Sequence, residues 1–247
     1  MINQDCEMES HTNLLIQADV NFLIIVTAGR TGSTILQHLL NQDPETLIRG
    51  ENNNFFYYFY RAYHAIEDPN AAKFRIESGS KHPWYGFENF KSEELKKQTR
   101  SLAIKFLLGT NSLSDYQRIG FKEIRFFPLI RYKPNSNEPN TSELTNYLLF
   151  LSNALGNVKF IHLTRDSSEV VKSGWWGING DQQENIERID FFNQTISRTK
   201  ASLDIVPFGY ELLKSKNIAR IQEILLELGI NLTRKKITET LSIELAH

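Results

Sequence analysis

The stretch Phe22-Leu23-Ile24-Ile25-Val26-Thr27-Ala28-Gly29-Arg30-Thr31-Gly32-Ser33-Thr34-Ile35-Leu36 decides the fold. Phe22 to Val26 is a continuous apolar run, the pattern of a strand buried on both faces. Ala28 to Gly32 is small and contains two glycines, which reads as a turn. From Ser33 the spacing changes, and Ile35, Leu36, Leu39 and Leu40 fall on one helical face. The order is therefore strand, glycine turn, helix. Backbone N–H groups at such a turn and at the helix N-terminus form an anion site. Gly29 and Gly32 let the backbone approach an oxyanion closely, and Ser33 and Thr34 add hydroxyl donors. Arg30 adds a forked cation that fits phosphate or sulfate oxygens. The loop of nucleoside-triphosphate enzymes needs four residues between its glycines and then a lysine. No lysine follows Gly32. Taken alone, the same sequence also fits a strand–helix turn that holds nothing.

Outward from this turn, strand-like and helical stretches alternate. Asp43-Pro44 closes the first helix, and Leu47-Ile48 is a short strand. The aromatic run within 52–63 reads as a helix, and 68–92 as a long loop of the kind that is often functional. A helix is expected over 93–107, a strand over 120–127, a loop over 134–139 and a helix over 144–155. A strand over 158–163, a helix from Ser167 to Trp175, a helix over 182–203, a strand over 205–208 and two closing helices complete the pattern. This alternation predicts an α/β fold, a three-layer sandwich around a central, mostly parallel sheet with a phosphate-binding turn. Strand C-termini then share one edge, where ligands bind in such sheets. Residues 21–247 read as one domain after an N-terminal arm, 1–20.

A second anion site is expected at the end of the 158–163 strand. There the chain reads Thr164-Arg165-Asp166, with Ser173 on the helix that follows. An arginine at a strand end and a nearby hydroxyl can hold a phosphate, although Arg165 could equally pair with Asp166 or Glu169. Two anion sites on two strand–helix turns of one sheet suit a ligand with two separated anionic groups.

Composition narrows the classes. The 247 residues are 40% hydrophobic and include 16 phenylalanines, enough for a sizeable core. A net charge of −1 argues against a general nucleic-acid binder. The single cysteine, Cys6, fits a reducing compartment, so a cytoplasmic location is expected. No apolar run is long enough to span a bilayer, so no membrane partner is expected. No residue spacing reads as a metal site.

At this point the chain resembles the PAPS-dependent sulfotransferase family, whose donor is 3′-phosphoadenosine-5′-phosphosulfate. Arg30-Thr31-Gly32-Ser33-Thr34 is similar to that family's 5′-phosphosulfate loop. The strand ending in Thr164-Arg165-Asp166, with Ser173 beyond it, is similar to its 3′-phosphate motif. Gly50-Glu51 stands where carbohydrate and tyrosyl-protein members carry a catalytic glutamate. Residues 120–126 resemble a strand that bears a lysine near the transferred group, here Lys122. Residues 207–213 resemble a Tyr-Glu-x-Leu segment near the adenosine, here Tyr210. The resemblance implies a P-loop-like fold and sulfuryl transfer from PAPS to a hydroxyl or amine, with release of adenosine 3′,5′-bisphosphate (PAP) and without a metal. It implies Arg30, Thr31, Gly32, Ser33, Thr34, Arg165, Ser173 and Tyr210 as donor-binding residues. Glu51 becomes the candidate general base, and Lys122 and Arg30 stabilise charge.

Residues 52–118 have no family likeness and are the expected acceptor-binding or lid region. Part of the aromatic run Phe55–Tyr63 is expected to be core and part to face a small organic acceptor. His162, inside an apolar strand, is expected to be a hydrogen-bonded core residue. His38 should face a neighbour, and His64 and His82 are candidates for the acceptor pocket, His82 first. A carbohydrate acceptor or a kinase of related fold are the alternatives. The oligomeric state is open.

Overall fold

The computed structural model describes residues 19–73, 80–129, 131–132, 139–177 and 181–244. Most of the expected N-terminal arm, Cys6 included, lies outside them, as do parts of the 68–92 and 134–139 loops. Five parallel strands form the central sheet. They are β1 (Asn21–Val26), β2 (Thr46–Arg49), β3 (Arg118–Glu123), β6 (Val158–Thr164) and β7 (Ile205–Gly209). Their order is β2-β3-β1-β6-β7, so the first strand sits in the middle. A two-residue antiparallel pair, β4 (Arg131–Tyr132) and β5 (Pro139–Asn140), stands apart.

The apolar run of β1 is continuous because the strand is covered on both faces. Phe22, Ile24 and Val26 point to one side. There they join Ile119, Phe121 and Phe160 beneath α2 (Phe55–Glu67), α4 (Ser92–Leu108), α5 (Ser142–Leu155) and α7 (Gln182–Thr199). Leu23 and Ile25 point to the other side. There they meet Ile161, Leu163, α1 (Ser33–Leu40), α9 (Ile218–Glu227) and α10 (Arg234–Glu244). This period-2 division is the three-layer sandwich that the alternation predicts. The shorter helices are α3 (Pro69–Ala72), α6 (Ser167–Val171) and α8 (Tyr210–Lys214).

Several element ends differ from the sequence reading, each for a physical reason. The strand expected to reach Phe127 stops at Glu123, because the Glu123 carboxylate accepts from the N–H groups of Ile124 and Arg125 and turns the chain. The helix expected over 167–175 is a five-residue α6, followed by a 3₁₀ turn at Gly174–Gly177. Ser173 therefore lies beyond the helix rather than on it. α7 ends at Thr199, freeing the following turn so that Asp204 O can accept from Phe160 N at 2.8 Å at the start of the β6–β7 pairing. The aromatic helix starts later and runs to Glu67. The 68–92 segment contains α3 and a 3₁₀ turn at Phe87–Asn89. Among the described residues, three helices rather than two follow β7.

Candidate active site

The C-terminal ends of β1, β3 and β6 open onto one cleft of about 700 Å³, within the range of ligand pockets. Arg30, Gly32, Ser33, Thr34, Glu51, Lys122, Arg125, Arg165, Ser173 and Tyr210 line it. Nine of the ten residues proposed from sequence meet here, although they are spread over most of the chain. The exception is Thr31. Its side chain is buried, and its hydroxyl shares a hydrogen with Thr27 and donates to Ala28 O, so only its backbone can serve a ligand.

The turn after β1 is held from several sides. Thr27 Oγ1 donates to Leu163 O on β6 at 2.7 Å, tying the turn to the neighbouring strand. Trp176 Nε1 donates to Gly29 O at 3.2 Å from below. Arg30 has a φ of 70°, a left-handed conformation that few non-glycine residues adopt. Gly32, at φ 83°, precedes α1, and no side chain caps that helix. Ile35 and Leu36 donate back to Gly32 O. The N–H groups ahead of them are the orphan donors of the helix, at its positive end.

The two expected anion sites touch. Arg30 Nε donates to Ser173 Oγ at 3.1 Å, and Arg165 Nη1 donates to Arg30 O at 3.1 Å. The Arg165 guanidinium lies 4.6 Å from the centre of the Tyr210 ring. That ring in turn fills the space beside Gly32, so close that a Cβ there would fall 2.4 Å from Tyr210 Cδ2. Turn, arginine and tyrosine thus form one packed unit.

On the opposite wall, Lys122 Nζ donates to Glu51 Oε1 at 2.8 Å, and Arg125 Nη1 to Glu51 Oε2 at 3.3 Å. Lys122 is 8% exposed. Among the described residues, Arg30, Lys122, Arg125 and Arg165 face the cleft against one carboxylate, Glu51. A cleft this cationic in a chain of net charge −1 concentrates an anionic ligand at the strand ends.

The profile of the sulfotransferase family matches residues 23–234. The chain belongs to that family. No curated protein sequence is similar enough to count as a match. Among solved structures, the sulfotransferase domain from the curacin biosynthetic pathway is similar with a TM-score of 0.51 and 13% identity, covering 90% of this chain and 77% of that one. The sulfotransferase domain from the Synechococcus PCC 7002 olefin synthase is similar at 0.50 and 14%, with the same coverage. A sulfotransferase from Alicyclobacillus acidocaldarius gives 0.49 and 12%, over 87% of this chain and 82% of that one. The α/β sheet of this sulfotransferase agrees with the fold of the first two of these neighbours, and it is an enzyme of that class.

The remaining sequence readings divide. His162 is buried and hydrogen-bonded to Asn193 at 3.1 Å, a core residue of this sulfotransferase as expected. His82 Nδ1 accepts from Trp84 N at 3.1 Å. His64 lies beside a separate cavity with Tyr60, Arg61, Ser142, Glu143 and Asn146. Neither histidine is among the described residues of the cleft. In the aromatic run, Phe56 and Tyr60 are core, Tyr57, Phe59 and Tyr63 are half-buried, and Tyr58 is exposed. None of these rings lines the cleft among the described residues. No group of acidic, histidine or cysteine side chains among the described residues has the arrangement of a metal site. No described helix is long and apolar enough to cross a membrane. Sequence reasoning missed Arg125, Trp176 and Glu123. Glu123 follows Lys122 directly and Arg125 comes two residues later, so the abrupt run of charge after an apolar strand was the available signal.

Proposed function

We propose that the enzyme transfers the sulfuryl group of PAPS to a hydroxyl or amine of a small organic acceptor and releases PAP, in the cytoplasm. The observation that supports this most is the single cleft joining the Arg30 turn and Arg165 to the Glu51–Lys122 pair. In this reading the N–H groups of residues 31–34 and Arg30 hold the 5′-phosphosulfate. Arg165 and Ser173 hold the 3′-phosphate, and Tyr210 lies by the adenosine. The acceptor oxygen or nitrogen attacks sulfur, and the bond from sulfur to the bridging oxygen breaks. That oxygen keeps the electron pair and leaves as the 5′-phosphate of PAP. The acceptor proton passes to Glu51. Lys122 turns from Glu51 toward the transferred group and neutralises charge developing there. As in phosphoryl transfer, positioning and fixed charge supply most of the catalysis.

Two measurements test the proposal. Calorimetry is expected to show PAP binding without magnesium, and Arg165→Ala to weaken it at least tenfold, about the worth of one charge-assisted contact. Incubation with labelled PAPS and a metabolite extract is expected to give a sulfated small molecule by mass detection. Binding of magnesium-ATP with no affinity for PAP would favour a kinase and overturn the proposal. Sulfate appearing only on polysaccharides would move the acceptor to carbohydrate.

A further inference from the structure

The pairing of β2 with β3 ends at Arg49 opposite Phe121. Glu51 and Lys122 lie past that last rung, so no ladder between these two strands fixes their separation. Apart from the ion pairs of Glu51 with Lys122 and Arg125, what joins the two segments there is chiefly the Glu123 carboxylate. It is fully buried. Glu123 Oε2 accepts from Asn52 N at 3.2 Å and from Asn54 N at 2.8 Å. Glu123 Oε1 accepts from Ile124 N and Arg125 N, each at 2.9 Å. Arg125 Nη1 lies 3.5 Å from the same oxygen. One oxygen thus holds the chain just after Glu51, and the other holds the chain just after Lys122. Strand alternation turns Glu123 away from Lys122, so it performs this role from the opposite face of the sheet. Asn54 Nδ2 adds a parallel link to Arg125 O at 3.3 Å.

We propose that Glu123 is a positioning residue that sets the Glu51–Lys122 distance in place of the missing strand pairing. The part played by Glu51 and Lys122 rests on the sulfuryl-transfer reading above, whereas the clamp itself rests on its hydrogen bonds. A carboxylate is suited to the task because its two oxygens accept from all four N–H groups at once. Glutamine has one acceptor oxygen and would set an NH₂ group against two of those donors. Aspartate keeps both oxygens but is one methylene too short to meet both chains.

Hydrogen exchange on the wild-type enzyme without added nucleotide tests the clamp without reference to donor binding or turnover. The amides of Asn52, Asn54, Ile124 and Arg125 are expected to exchange slowly although they belong to no helix interior or strand ladder. Exchange at the rate of open loop amides overturns the proposal, whatever Glu123 variants do. Glu123→Gln and Glu123→Asp are then compared using labelled PAPS and the metabolite extract. The expected result is a roughly ten- to hundredfold loss of turnover in Glu123→Gln, the size of effect that a misplaced catalytic pair produces. The PAPS KM and PAP affinity should hold near wild type, and Glu123→Asp should fall between. Unchanged turnover, or PAP affinity falling in step with turnover, overturns it. If the wild-type enzyme consumes no PAPS, the donor reading fails, while the exchange result still decides the clamp.

Discussion

Gly32 and Tyr210 stand far apart in the chain and share one small volume beside the cleft. An alanine at 32 meets two obstacles, the left-handed backbone at φ 83° and the Tyr210 ring at 2.4 Å. The backbone term alone costs the fold about 1–2 kcal/mol, and relieving the Tyr210 clash moves the ring and the turn, so Gly32→Ala is expected to lower stability and to weaken PAP binding. A calorimetric Kd for PAP equal to wild type would show that the turn does not hold the donor. The glycine was legible in the sequence, since its place between strand and helix announces a special backbone. Its partner was legible only by family resemblance, because nothing local links residue 210 to residue 32. The same contrast separates Lys122 from Glu123. A lysine at a strand end advertises its chemistry, whereas a buried carboxylate whose hydrogen bonds go mainly to backbone N–H groups shows in the sequence only as an acidic residue after an apolar run.

The strands were legible as elements because burial on both faces of a parallel sheet demands unbroken apolar runs. Their ends were less so, since a stop such as the Glu123 carboxylate turning back onto the next two N–H groups leaves no mark in the hydrophobic pattern. Gly120 shows what central pairing asks of a single position. A Cβ there would lie 1.7 Å from Leu23 O on β1, a contact with backbone that no rotamer relieves. Overpacking costs about 1–3 kcal/mol, occasionally more, and the backbone contact places this site at the upper end. Gly120→Ala is expected to lower Tm by roughly 10 °C or to leave the chain insoluble. A melting curve that overlays wild type would mean that β1 and β3 are not packed so closely.

Across the whole molecule, the sheet and α7 meet at His162, and this contact gives stability a pH dependence. Burial holds the His162 imidazole below its usual 6.5, with the Asn193 hydrogen bond opposing it. The unfolded chain therefore takes up a proton near pH 6.5 that the folded protein does not. Stability from this residue is full above 6.5 and is lost as pH falls from there toward the lower folded value. In urea unfolding between about pH 5 and 7, His162→Gln should flatten that slope. An unchanged slope in the variant would assign the dependence to other groups. The position of β1 has another consequence, one of timing. Its partners on both sides come much later in the chain, β3 at Arg118 and β6 at Val158. During synthesis at about 5–20 residues per second, the most apolar strand emerges with both edges open and waits several seconds for its first neighbour. A newborn chain in that interval is a ready client for whatever shields sticky segments as they leave the ribosome.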